Sequence, residues 1–304
     1  MSRILITGVA GFIGRHLFER LNTYNSVDWV GLDLKDKVTG LPEEIRLNHA
    51  LYRCDLRDSA ATNKLAEDMV TLKVDRVIHL AAMAAPRIAE SQPEVTWATN
   101  VQGTYNLLNA MHKAKVRKLV FMSSAHVYGI SPKYMPTDES HPLALLDLYT
   151  TSKVMGEQLC ELFYQNHGID YVALRLYNGY GPGQSPDYFM GTKIREAAKG
   201  DFELRGGDVT KDWVYIDDVV DAIWRASLTA YVGPLNIGTG EETSLRDIAT
   251  QIAQHFGVKF HEVVDGHGGP TRMCADNSRA RRILDWDPEV KFGKGLRKTL
   301  ESFR

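Results

Sequence analysis

Short apolar runs and amphipathic stretches alternate along the first half of the chain. Residues 4–7, 29–33, 51–54, 76–80 and 118–123 are rich in Val, Ile and Leu and predict strands. Residues 12–21, 60–72 and 93–113 space their apolar positions for one helical face. A longer helix is predicted at 148–167, followed by a strand at 171–176. Strands that alternate with helices must run parallel, because each helix carries the chain back over a sheet face. Such strands are covered on both sides, which is why they read as apolar runs rather than alternating ones. Beyond Tyr177 the texture changes, and NGYGPGQSP, rich in Gly and Pro, predicts a loop. A helix at 216–228 and a strand at 234–237 read as returning to the same sheet.

Composition narrows the class. At 304 residues the chain is one large domain, or one domain with a smaller lobe. Its 44% hydrophobic and 24% charged residues exclude a disordered or fibrous protein. Lys+Arg 36 against Asp+Glu 38 leaves no basic excess, so nucleic acid is not an expected partner. Cys54, Cys160 and Cys274 lie far apart with no CxxC pair, which suits a reducing, cytoplasmic setting, and no metal site is expected. Glycines interrupt the N-terminal apolar run, which reads as strand and turn, not as a signal peptide. No window approaches the roughly 20 apolar residues of a membrane span.

The first strand leads into Gly8-Val-Ala-Gly11-Phe12-Ile13-Gly14, which opens the first helix. Glycines there allow a tight turn and let a pyrophosphate approach the helix N-terminus around Phe12 and Ile13, where free N–H groups favour anions. The spacing is GxxGxxG, and a glycine-rich turn alone is weak evidence. Asp33, closing the second predicted strand, adds to it: its carboxylate can bond the ribose hydroxyls of NAD and would repel the extra phosphate of NADP. The fold class expected is therefore α/β, a Rossmann-type doubly wound parallel sheet with a smaller C-terminal substrate-binding lobe. Residues 1–176 plus 213–240 would form the NAD-binding domain, and 177–212 with 241–304 the lobe. Open parallel sheets bind ligands at the carboxyl edge of their strands, where the site is expected.

The chain resembles the extended short-chain dehydrogenases/reductases, in the branch of NAD-dependent nucleotide-sugar epimerases and dehydratases. The motifs are GVAGFIG at 8–14, CDL at 54–56, HLAA at 79–82, NVQGTYNLL at 100–108, SSAHVYG at 123–129, YTTSK at 149–153, LRLYNGYGPGQ at 174–184 and DWVYIDDVVDA at 212–222. The resemblance implies that Asp55 bonds the adenine amine and Leu56 packs on its ring, though Leu56 reads equally well as core. It implies that Ala81 and Ala82 give the cofactor room, and that Asn100 orders the catalytic lysine; an N-cap is a second role open to Asn100. His79 reads as a buried strand histidine. The resemblance also implies a homodimer joined by the helices at 93–113 and 148–167, with Leu107, Leu108 and Met111 supplying apolar surface unless they face the sheet.

Tyr149 and Lys153 lie four apart, on one helix face. An ammonium beside a phenol favours the phenolate, so Tyr149 is expected to titrate below its usual value near 10 and to act as a base. Ser124 ends the fifth predicted strand and can hold the substrate oxygen that Tyr149 deprotonates. Lys153 should also bond the nicotinamide ribose, by resemblance. A lone YxxxK would read as an exposed helix face; joined to Gly8, Asp33 and Ser124 it reads as catalytic.

The expected substrate is a nucleotide-diphosphate sugar. The sugar dehydratases that the chain resembles carry Asp-Glu after the serine; here stand Ala125 and His126. Asp33 argues against NADPH and hence against a reductase. The reading is an NAD-dependent epimerase that oxidises sugar C4 and returns the hydride; the alternative is a sugar-nucleotide dehydrogenase or 4-ketoreductase using NAD(P). His126 either contacts the sugar or packs against the lobe. Asn178 resembles the asparagine that bonds the diphosphate. Lys211-Asp212-Trp213 replaces the family's Arg-Asp-Phe, keeping charge but losing the bidentate fork. Gly266-His267-Gly268-Gly269-Pro270 stands where the family has RPGD, and Arg272 or Arg205 is left to supply that charge.

Overall fold

A computed structural model describes residues 2–24, 27–34, 50–129, 131–263 and 271–303. The segment 266–270 lies outside them. The chain packs as two compact units: Met1–Ser124, Asp147–Leu174 and Val220–Pro234 form the first, and Ala125–Leu146, Arg175–Val219 and Leu235–Arg304 the second.

In the first unit, β1 (Ser2–Thr7), α1 (Phe12–Leu21), β2 (Val27–Asp33), β3 (Ala50–Arg53), α2 (Ser59–Thr71) and β4 (Arg76–His79) follow the alternation seen in the sequence. Then come α3 (Pro86–Ser91), α4 (Pro93–Trp97), a π-helical turn (Ala98–Gln102), α5 (Gly103–Ala114), β5 (Lys118–Ser124), α6 (Leu148–His167) and β6 (Asp170–Leu176). The sheet runs β10-β6-β5-β4-β1-β2-β3, where β10 is Gly233–Ile237. From β3 to β5 every pair is parallel. Strand order reverses between β1 and β4, the point at which such sheets open a crevice for a ligand.

The unit's core is where the apolar runs meet. Leu5, Val30, Leu32, Val77, Leu119 and Phe121 from the strands pack with Leu65, Met69, Leu107, Leu108 and Met111 from the helices. Leu107, Leu108 and Met111 are fully buried there, so of the two places open to them they take the one facing the sheet and not a dimer face. The Asp58 side chain caps α2 by accepting from Ala60 N at 2.8 Å. Asp147 caps α6 by accepting from Thr150 N at 2.6 Å, and Gly168, at φ +62°, ends it. The single helix expected at 93–113 is broken by the π turn, and α3 was not foreseen.

In the second unit, β7 (Asn178–Tyr180), α7 (Phe189–Ala197), β8 (Phe202–Arg205) and β9 (Thr210–Tyr215) precede α8 (Ile216–Leu228), which passes into the first unit. After β10 come β11 (Glu242–Ser244), α9 (Leu245–Phe256), β12 (Phe260–Val263), β13 (Arg272–Met273), α10 (Ser278–Leu284) and α11 (Phe292–Glu301). Strand β9 is the hub, flanked by β11 and β13 and paired also with β7. Residues 178–180, expected as loop, are thus a strand: pairing with a distant partner overrides the local Gly-rich signal. Residues 125–146, placed with the first domain from sequence, pack with this unit. Thr137 N donates to Cys274 O at 2.9 Å, and Asn236 N donates to Glu139 Oε1 at 2.8 Å. Among the described residues no helix is long and apolar enough to cross a membrane, and no three metal-ligating side chains cluster.

Candidate active site

The carboxyl ends of β1, β2, β4 and β5 bring together Gly8, Asp33, Ala81 with Ala82, and Ser124. Gly8 stands at φ +73°, and a Cβ there would fall 2.6 Å from Ala81 N. A Cβ on Gly14 would fall 2.4 Å from Gly8 O. Both glycines are therefore required by backbone pressed against backbone. Gly11 caps α1 with no side-chain bond, so the helix opens on bare N–H groups around Phe12 and Ile13. The Asp33 carboxylate accepts from Ala10 N at 2.9 Å and from Leu34 N at 2.8 Å, which holds it beside the turn. Asp55 forms a two-pronged ion pair with Arg57, which holds its carboxyl below the usual range. Leu56 is buried in the core, 3.3 Å from a Cβ built on Gly103, so the packing reading describes where it sits.

Strand β5 and helix α6 hold the residues expected to transfer the proton. Tyr149 and Lys153 are buried, at 7% and 4% exposure. The Tyr149 phenol hydrogen-bonds the Ser124 hydroxyl. Lys153 Nζ donates to Met122 O at 2.8 Å, lies 5.4 Å from the Phe121 ring centroid and 5.9 Å from that of Tyr149. Burial pushes the phenol up to about 12, against the lowering effect of Ser124. This corrects the expectation that the neighbouring lysine makes the phenol acidic: in the free protein, desolvation of the phenolate outweighs it. Burial also pushes the Lys153 ammonium down to about 8, against the pull of Glu157.

Asn100 sits in the π turn, not at a helix N-cap. Its Oδ1 accepts from Met83 N at 2.8 Å, and its Nδ2 donates to Met83 O and to Ser152 Oγ at 2.9 Å. Ser152 Oγ in turn donates to Tyr149 O. The wide turn is thus where an amide reaches α6, the helix of Tyr149 and Lys153. His79 is buried as expected, and burial with nearby Lys153 lowers its pKa to about 3, so the ring is neutral. Thr104 Oγ1 donates to Asn100 O at 2.6 Å. His79 Nε2 must therefore be the donor to Thr104 at 3.0 Å, and Nδ1 the acceptor from Thr7 at 2.7 Å.

In the second unit, β9 points Lys211 and Trp213 to one side and Asp212 to the other. Asp212 is fully buried, and its carboxylate accepts from Thr239 N, Gly240 N and Ala275 N. Asn178 pairs across from Trp213 and donates Nδ2 to Asp212 O at 2.9 Å. Burial lowers the pKa of Lys211. Arg272 is exposed and engaged by Glu242 through both prongs. His126 lies half-buried on the 3-10 turn Ala125–Tyr128.

Residues 4–238 match the family described as NAD dependent epimerase/dehydratase. The chain belongs to this family. It is 35% identical to the UDP-glucose 4-epimerase of Mycolicibacterium smegmatis, over 99% of this chain and 98% of that protein. Its structure superposes on the UDP-glucose 4-epimerase of Thermotoga maritima solved with UDP-glucose, at a TM-score of 0.90 and 29% identity, over 100% and 99% of the two chains. It is similar too to the dTDP-glucose 4,6-dehydratase DesIV of Streptomyces venezuelae, at a TM-score of 0.89 and 27% identity, over 100% and 97%.

The epimerase/dehydratase cofactor, NAD, fits this turn. The Gly8 and Gly14 positions exclude any side chain, the N-terminus of α1 is bare, and an anchored carboxylate stands at the end of β2. Residues with no place in the sequence reading contact the candidate site. Ser152 and Met83 hold Asn100, the Met122 carbonyl holds Lys153, and Glu157 lies buried one turn beyond the lysine. A signal for Glu157 was present: positions 149, 153 and 157 share a helix face.

Proposed function

We propose that the protein is an NAD-dependent epimerase of a nucleotide-diphosphate sugar, acting at sugar C4. The observation that carries this is the buried Tyr149 hydroxyl bonded to Ser124, one helical turn from Lys153, at the sheet edge that holds the NAD turn. Ser124 positions the sugar hydroxyl, and Tyr149 removes its proton and returns it at the end of the cycle. Lys153 stabilises the phenolate and bonds the cofactor ribose. NAD, held at the Gly8–Gly14 turn and by Asp33, would supply reversible hydride transfer at the sugar carbon, so no second redox partner would be consumed. Asn178 and Lys211 hold the diphosphate, and His126 faces the sugar. Arg272 joins them only by leaving Glu242. The acid pair of the dehydratases is replaced by Ala125 and His126, which favours return of the hydride over loss of water.

The test is incubation of the pure protein with UDP-, GDP-, CDP- and dTDP-sugars. A 4-epimer should form with no added cofactor and no net NADH, and Tyr149→Phe should turn over at least 10²-fold more slowly. Stoichiometric NADH would make it a dehydrogenase, and an undiminished Tyr149→Phe would end the assignment.

We propose further that the enzyme is a cytoplasmic homodimer, in keeping with its three unpaired cysteines. Trp97, Tyr105, Met155 and Leu162 expose apolar surface on α4, α5 and α6, at 38–49% of their area. Sedimentation should give a dimer at micromolar concentration and a monomer for Leu162→Arg.

A further inference from the structure

Helix α6 carries Tyr149 and Lys153 on one face, and that face continues to a third ionisable group, Glu157. A glutamate at 5% exposure is costly unless the fold compensates it. Here strand β5 does so residue by residue. The Phe121 ring lies 5.4 Å from Lys153 Nζ and presses on Gly156, where a Cβ would fall 2.4 Å from its Cζ. Met122 O accepts from Lys153 at 2.8 Å. Ser123 Oγ donates to Glu157 Oε1 at 2.5 Å. Ser124 bonds Tyr149. Four consecutive strand residues thus set the height of the helix, and the carboxylate is clamped in the same dry layer as the ammonium.

Resting on the reading of Tyr149 and Lys153 as the proton-transfer pair, we propose that Glu157 is a positioning residue: a buried counter-charge that keeps Lys153 an ammonium and, through Ser123, fixes the register of α6 on β5. Among the described residues, few groups act on Lys153. On α6 they are Tyr149 and Glu157; on β5, the Met122 carbonyl and the Phe121 ring; on β4, His79. Tyr149 and His79 are both neutral at working pH. Glu157 is the one that opposes the pull of burial on the lysine, which already stands at about 8 with the carboxylate in place. Without it the amine would lose its proton at a lower pH, and Tyr149 would lose the charge that stabilises its phenolate.

The test uses the full-length protein and reads Lys153 directly. Lysine side chains are labelled at Cε, and the Lys153 signal is assigned by its loss in Lys153→Met. Glu157→Gln keeps the shape and an acceptor for Ser123 but removes the charge. It should lower the Lys153 titration midpoint by about one unit or more. The alkaline limb of the kcat profile should move by the same amount, with little change in KM. Glu157→Asp should restore part of the shift. An unmoved midpoint in Glu157→Gln overturns the proposal, since a packing role alone would leave the titration where it was. If Glu157→Gln does not fold, Glu157→Asp carries the test, with a smaller downward shift expected and no shift overturning it. The midpoint is read without substrate, so failure of every sugar to react would sink the epimerase reading while leaving this result standing.

Discussion

Binding of the oxidised cofactor should lower the pKa of Tyr149 by about three units, and binding of the reduced cofactor should not. In the free protein burial holds the phenol near 12, two units above its ordinary value. That corresponds to about 2.7 kcal/mol against the phenolate. At pH 8 about one molecule in 10⁴ would carry the base. A tenth of the molecules would carry it at a pKa of about 9, which requires about 4 kcal/mol of differential stabilisation. One positive charge near 4 Å, at an effective dielectric constant of about 20, is worth about 4 kcal/mol. The oxidised nicotinamide ring bears that charge and the reduced ring does not. Lys153, with Nζ 5.9 Å from the ring centroid and donating to Met122 O, does not suffice alone. The assay is phenolate absorbance of the wild type minus that of Tyr149→Phe, followed to pH 10 in each loaded form. One extra phenolate with a midpoint near 9 should appear with NAD and none with NADH. Equal titration in the two forms would refute the electrostatic argument.

Three other outcomes follow from the same geometry. Gly14→Ala puts a methyl 2.4 Å from Gly8 O and 2.6 Å from Val9 O; it should cost about 3 kcal/mol in urea unfolding and strip the retained cofactor, and an unchanged midpoint would mean the turn is built otherwise. Asp33→Ala removes the acceptor for the ribose and the anchor on Ala10 N; calorimetry should show NAD binding weakened about 10²-fold and the preference over NADP lost, whereas an unaltered ratio would dismiss Asp33 as the selector. His79 is neutral when folded, at about 3 against 6.5. The unfolded chain therefore binds the extra proton between those values, and stability falls as pH drops through that window, by about 1.4 kcal/mol per unit from this residue. His79→Gln should flatten that slope, and nitrogen NMR should find the hydrogen on Nε2; a hydrogen on Nδ1 would contradict the donor count.

The strands of the sheet up to residue 176 were legible because each announces itself within a few residues, as α3 did not. The Gly8 turn, Asp33, Ser124 and the Tyr149–Lys153 spacing were legible for the same reason. The π turn was not, since its cause is Asn100 reaching Met83 and Ser152, partners 17 and 52 positions away. Nor was β7, which exists because Asn178–Tyr180 pair with Trp213–Tyr215. Leu107, Leu108 and Met111 read as apolar surface from their spacing, and only the packed core shows which way they face.

Local pattern and side-chain chemistry sufficed for the alternating α/β order, the glycine turn and the pairing of Tyr149 with Lys153 on one helix face. Burial, and with it the sign of the Tyr149 shift, the lowered pKa of Lys153 and the place of Glu157 beside Ser123, came only from the tertiary structure. A pKa depends on the dielectric and charges around a group, and residues distant in the chain supply those.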